Sequence, residues 1–217
     1  MNRTTIIIIA AAALMLLVVY LTNRPAIEYQ VPFYQYNSNT SRVEKYYQPF
    51  DGLQQIDFFA ATDQNGKEYT SDSLEGKIYV VDYFFVTCPG ICKKMSAQMQ
   101  RLYTLYEEDT SIVLVSFTSK PEEDSIPVLN AYAKSMGIKK AAKWKLLHAD
   151  RNVAYSLAKD EFAILNEQDE ADLFVHTERF ALVDKNGHIR GYYDGTSPKD
   201  IDRMVKDIGL IKKEKNS

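Results

Sequence analysis

Ile78-Tyr79-Val80-Val81-Asp82-Tyr83-Phe84-Phe85-Val86-Thr87-Cys88-Pro89-Gly90-Ile91-Cys92 is the stretch from which the rest of the chain can be read. Up to Val86 it is a β-branched and aromatic run, which fits a strand buried on both faces. After Cys92 the apolar residues Met95, Met99, Leu102, Tyr103 and Tyr106 fall on the spacing of an amphipathic helix. A central strand therefore feeds a helix, and the only two cysteines of the chain sit where one becomes the other.

Working downstream, Ser111 to Phe117 reads as a second buried strand. Asp124 to Met136 reads as a helix, with Asp124 or Ser125 as cap and Pro127 tolerated in its first turn. Trp144 to Leu147 gives a short strand, Asn152 to Lys159 a helix, and Glu161 to Val175 a long loop. Arg179 to Val183 and His188 to Tyr193 flank Asp184-Lys185-Asn186-Gly187, where Asn-Gly accepts the positive φ of a tight hairpin. Pro198 opens a last helix to Ile208. Upstream, Asp63-Gln64-Asn65-Gly66 gives the same signal between Ile56 to Ala60 and Lys67 to Thr70, predicting an N-terminal hairpin. The order β-α-β-α-β-α-β-β-α predicts an α/β fold, a central sheet flanked by helices on both faces. It looks like a thioredoxin-type core with one extra helix and strand, over residues 51–210.

The 217 residues, 46% hydrophobic and 25% charged, suffice for one well-buried domain and an appendage. A net charge of -3 with dispersed Lys and Arg leaves no electrostatic footprint for nucleic acid. Between Arg3 and Arg24 lie 20 uncharged residues; at about 1.5 Å per residue such a helix spans a hydrocarbon core of about 30 Å. Residues 1–23 are thus expected to be a single transmembrane anchor. No small-x-small cleavage site follows the apolar run, and no cysteine there is available for lipid. With so few residues before the segment, the soluble domain is expected on the exported, periplasmic or extracytoplasmic side of an inner or plasma membrane. Two lone cysteines can pair in that oxidising space. Residues 24–50, with Pro25, Pro32, Pro49 and the polar Asn37-Ser38-Asn39-Thr40-Ser41, read as a tether, and residues 211–217 as a polar tail.

Cysteines four apart at a strand-to-helix junction lie on one face, close enough to share a metal or to pair. Backbone N–H groups of the helix start, with Lys93 and Lys94, favour an anionic sulfur, and no carboxylate lies between residues 83 and 106 to oppose it. Pro89 suits the first helical turn. Two thiolates rarely complete a metal site, and three histidines are available. His188 follows the Asn-Gly turn as a solvated strand residue, and His148 ends a short strand in a capping or packing role. His176, three residues before Arg179, enters the last strand pair from the loop that packs on the cysteine turn in a thioredoxin-like topology, and is the candidate third ligand. Two soft thiolates and one imidazole suit copper better than zinc. Six carboxylates between Asp160 and Asp172 read as a solvated acidic loop.

The strand Tyr79 to Phe85, then Thr87-Cys88-Pro89-Gly90-Ile91-Cys92 with Met95, and the later Val175-His176 followed by Phe180-Ala181-Leu182-Val183-Asp184-Lys185-Asn186-Gly187, resemble the Sco (SenC) family of cytochrome c oxidase assembly proteins. The resemblance spans about residues 54 to 208. It implies a membrane-anchored thioredoxin fold that binds a copper ion through Cys88, Cys92 and His176. It further implies delivery of copper to the copper-binding subunit of cytochrome c oxidase, reduction of that subunit's cysteines, or both. Two positions depart from the family pattern: Lys120-Pro121 stands where many members carry Asp-Pro, and Lys93 where a proline often follows the second cysteine.

Three other readings stand beside the metallochaperone. Cys88 and Cys92 can act as the redox pair of a thiol-disulfide reductase, although three residues between them is one more than thioredoxins use. Thr87 before Cys88, with Arg179, faintly suggests a peroxiredoxin-like peroxidase, but the usual proline-then-threonine approach is missing. A purely structural interaction module is the fourth.

Overall fold

The computed structural model describes residues 2–22, 29–165 and 177–214. It divides into two compact units, Met1–Gln30 and Val31–Ser217. The first carries α1 (Arg3–Thr22), whose run of Ile, Ala, Leu and Val contains no helix breaker. The side chains of α1 are described only in part, and counted over the described residues no helix is long and apolar enough to cross a membrane.

The second unit is built on nine strands: β1 (Phe33–Asn37), β2 (Arg42–Tyr46), β3 (Ala60–Asp63), β4 (Glu68–Thr70), β5 (Ile78–Phe84), β6 (Ile112–Thr118), β7 (Trp144–His148), β8 (Arg179–Val183) and β9 (Ile189–Asp194). Their order in the sheet is β2-β1-β9-β8-β5-β6-β7-β3-β4, so the strand expected at the centre has four neighbours on each side. β5, β6 and β7 are parallel, while β8 lies antiparallel to β5, β9 to β8 and β3 to β7.

Alternation along β5 divides the core in two. Ile78, Val80 and Phe84 point to the face covered by α2 (Ile91–Tyr106), α3 (Ile126–Ser135) and a C-terminal helix, meeting Met95, Met99, Leu102, Leu129, Met204 and Ile208. Tyr79, Val81 and Tyr83 point the other way. There α4 (Arg151–Ser156) and the wide turn Leu157–Glu161 bring Tyr155, Phe162 and Ile164 onto Phe117 and Phe59. At about 1.5–3 kcal/mol per fully buried large apolar side chain, these two layers are the main favourable term in folding. The C-terminal helix, α5 (Pro198–Ile211), is capped by Ser197, whose hydroxyl accepts the Asp200 N–H. Both Asn-Gly turns form: Gly66 and Gly187 take φ of 75° and 81°, which only glycine adopts without strain.

Four expectations change. Residues 33–46, read as tether, are a hairpin paired to the sheet through Tyr34 and Ile189, because Arg190 grips the chain ahead of it. The polar cluster is that hairpin's turn, with Asn37 Oδ1 accepting the Asn39 and Thr40 N–H groups. The tail is not simply solvated: Glu214 binds Arg190 through both carboxylate oxygens. The acidic loop starts in the core, since Phe162 and Ile164 within it are fully buried. Its remainder, from residue 166 through His176, lies outside the described residues.

Candidate functional site

β5 ends at Phe84, and residues 85–90 turn the chain into α2. The helix starts at Ile91 with Gly90 as its cap, so Pro89 precedes the first turn rather than occupying it. Cys88 N–H donates to Phe85 O at 3.2 Å, tightening the loop on itself. A neighbouring turn, Thr118 to Asp124, holds the loop from outside. Ser119 N–H reaches Phe84 O at 2.8 Å, Val86 N–H reaches Asp124 Oδ2 at 3.1 Å, and Thr87 Oγ1–H reaches Glu123 Oε2 at 3.4 Å.

Both cysteines are unbridged and buried, Cys88 at 7% exposure and Cys92 at 6%. Their environments differ in a way that matters chemically. Burial pushes the Cys88 thiol up, but hydrogen bonds from the Cys92 thiol and from the Gly90 and Cys92 N–H groups, with the Lys93 charge, bring it below its ordinary value. Cys92 is pushed up to about 12 by burial first and then by the hydrogen bond it gives to Cys88. The arrangement holds two thiols in mutual contact whose acidities are shifted in opposite directions, with exposed Lys93 and Lys94 following in the chain.

Beneath the pair lies Asp82, 2% exposed, which accepts a hydrogen bond from Ser116 Oγ, itself the acceptor of Trp144 Nε1–H at 2.9 Å. Burial raises the Asp82 carboxyl to about 7, and its charge contributes to raising Cys92. Asp82 is a functional residue that the sequence reading missed; a lone carboxylate inside an apolar strand was the signal that could have found it. Of the two residues offered as cap for α3, Ser125 takes the N-cap position, while Asp124 faces the loop.

Among the histidines, His148 Nε2 lies 3.0 Å from Pro121 O, a packing role as expected. His188 is not solvated: its ring meets Phe33 edge-on at 5.7 Å, and Nδ1 lies 3.6 Å from Asp184. His176 lies outside the described residues. The described chain resumes at the buried Thr177, just before β8. Because β8 is antiparallel to β5, that is the sheet end from which the cysteine loop leaves. Among the described residues no third His, Cys, Asp or Glu joins the two sulfurs.

A mixed sheet with a buried thiol pair at the exit of its central strand defines a thioredoxin-like dithiol domain. The SCO1/SenC family model matches residues 51–211, and the chain belongs to that family. A SCO1 protein homolog from Bacillus subtilis is 26% identical over 157 residues, covering 71% of this chain and 81% of the relative. The crystal structure of a SCO1/SenC family lipoprotein from Bacillus anthracis superposes with a TM-score of 0.65 at 27% identity, covering 75% of this chain and 97% of that one. Bradyrhizobium japonicum ScoI, solved with copper bound, shares the fold at 20% identity and a TM-score of 0.55, covering 70% of this chain and 98% of its own.

Proposed function

We propose that this protein is a membrane-anchored copper chaperone whose cargo ion is held by Cys88, Cys92 and His176 and passed to the copper-binding subunit of cytochrome c oxidase. One observation carries the reading: two unbridged thiols in contact at a helix start, one of them more acidic than an ordinary cysteine. Soft sulfur donors and an imidazole suit Cu(I), which accepts low coordination, better than a metal that wants four protein ligands. The negative charge of two thiolates is offset by the N-terminus of α2 and by Lys93 and Lys94. Thr177 returning to the sheet end of the cysteine loop supports His176 as the third donor. A family member from Bradyrhizobium japonicum solved with copper bound supports the choice of metal.

Residues 1–23 serve as the anchor and leave the dithiol domain on the exported side. A lipoprotein relative supports membrane attachment as such, here by an apolar helix rather than a lipid. The test is copper quantitation on the full chain in detergent. One copper per chain is expected, with tight binding lost in Cys88→Ala, Cys92→Ala and His176→Ala; unchanged affinity in His176→Ala eliminates the three-donor site.

The unequal thiols favour a second reading for the same residues. The Cys88 thiolate attacks a partner disulfide, forming a mixed disulfide and releasing one partner thiolate. Cys92 then gives up its proton and attacks Cys88 Sγ, releasing the second partner sulfur. Two electrons pass to the partner and the Cys88–Cys92 pair becomes the disulfide. Reduction of a disulfide peptide by stoichiometric protein, persisting in His176→Ala, identifies this activity apart from copper binding.

A further inference from the structure

The turn between β6 and α3 touches the cysteine loop at several points, and one of its residues has no other evident purpose. Asp124 is 1% exposed, and its carboxylate accepts hydrogen bonds from a backbone N–H and a hydroxyl. Oδ2 accepts Val86 N–H at 3.1 Å, with Oδ1 at 3.4 Å from the same nitrogen. Oδ2 also accepts Thr118 Oγ1–H at 2.6 Å, and Thr118 Oγ1 in turn accepts Lys120 N–H at 3.0 Å. The peptide so gripped is adjacent to the sulfurs: the preceding N–H, that of Phe85, donates to the Cys92 sulfur. The following residues, Thr87 and Cys88, carry the other thiol. Burying an acid here costs stability, because desolvation disfavours its charge. A capping role does not account for the expense, since Ser125 holds the N-cap position of α3 and the Asp124 carboxylate accepts from Val86 and Thr118 instead.

We propose that Asp124, with Thr118, is a positioning pair for the dithiol site: it fixes the Val86 peptide, and through it the orientation of Phe85 N–H toward Cys92 and the placement of Cys88. Holding donors through a second layer of hydrogen bonds is the ordinary way a metal or thiol site is preorganised. The inference rests on the dithiol site proposed above, and it concerns the sulfurs whether their occupant is copper or a partner disulfide.

Three variants of the full chain in detergent test it, with two readouts under native conditions: Cu(I) affinity by competition with a chromogenic chelator, and the rate of Cys88 alkylation by iodoacetamide. Asp124→Ala is expected to weaken Cu(I) binding about 10–100-fold, the usual effect of losing an outer-layer partner, and to speed Cys88 alkylation as the loop opens. Asp124→Asn, with its amide oxygen at the Oδ2 position, keeps an acceptor for both Val86 N–H and Thr118 Oγ1–H, and is expected to stay within about threefold of the native protein in both. Thr118→Val removes the hydroxyl at nearly constant shape and is expected to fall between, which keeps the proposal testable if Asp124→Ala does not fold. A purely structural role moves only the unfolding midpoint. Native affinity and alkylation rate in folded Asp124→Ala, or in Thr118→Val if it alone folds, overturn the proposal. If the native protein binds no Cu(I) while the alkylation rates still separate the variants, the copper reading fails and the positioning role stands.

Discussion

Two buried carboxylates at opposite ends of one sheet show how differently this domain treats its poles. Asp184, at the turn between β8 and β9, accepts the Asn186 and His188 N–H groups at 3.0 Å each and the Arg190 guanidinium at 3.0 Å. Burial raises its carboxyl, but the His188 ring and backbone N–H, with Arg190, hold it below the ordinary carboxylate range. Arg190 is equally satisfied: it donates to Val31 O, Pro32 O and both Glu214 oxygens and lies 4.0 Å from the Phe33 ring centroid. Asp82, under the cysteines, has one recorded side-chain hydrogen bond among the described residues, from Ser116, and burial carries its carboxyl to about 7. The closed end ties together the first and last parts of the domain and gains stability from its charges. Among the described residues, the cysteine end holds an acid with no recorded ion pair and two thiols without a disulfide, so it stores chemistry at the expense of stability.

The sharpest way to break this contrast is at the closed end. Arg190→Ala strands Asp184 and frees both Val31–Phe33 and Glu214, and is expected to cost about 3–5 kcal/mol, as removing one partner of a buried ion pair usually does. Denaturant unfolding of the full chain in detergent measures it, and a loss below about 1 kcal/mol shows the cluster to be ornamental.

At the other end the effect reverses in sign. Asp82 holds its proton up to about 7 when folded, whereas the unfolded chain releases it near 3.9. Stability therefore falls as pH rises between those values, by up to about 1.4 kcal/mol per pH unit, and levels off above about 7. Asp82→Asn is expected to flatten that slope and to make the protein more stable than the native chain at pH 8. An unchanged slope assigns the pH dependence to other groups.

Within the cysteine end, the thiols themselves differ. At pH 7.5 and early reaction times, iodoacetamide is expected to label Cys88 at least about tenfold faster than Cys92, because reactivity follows the thiolate fraction. Peptide mapping by mass spectrometry reads the ratio, and equal labelling removes the asymmetry on which the reductase reading depends. The smallest effect belongs to the exposed pair of Lys212 and Asp109. Lys212→Ala is expected to cost about 0–1 kcal/mol, which separates the surface charge of the tail from the part-buried Arg190–Glu214 contact.

Much of the fold was legible because it depends on local pattern. The apolar run of β5, the helical spacing of Met95, Met99 and Leu102, and the Asn-Gly turns each state their own structure. The hairpin at residues 33–46 was not legible. Its strands are short and half exposed, and their pairing is secured by Arg190, more than 140 residues away in sequence. His188 was misread for the same reason, since its burial comes from Phe33 of that hairpin. In the site, Cys88 and Cys92 were evident as a pair from spacing alone. Asp124 was visible only as a possible cap, since nothing local says that its carboxylate points back to Val86, 38 residues earlier.

By itself the sequence determined the α/β order, the placement of both cysteines at a strand-to-helix junction, the apolar N-terminal segment, and the family motif with His176. These are properties of neighbouring residues, and period, turn chemistry and spacing suffice to read them. Only the tertiary structure decided that the two thiols are unequal, that Asp82 lies buried beneath them, and that the turn from Thr118 to Asp124 holds their loop. Each of these depends on desolvation and on hydrogen bonds between segments far apart in the chain, and neither exists until the sheet has assembled.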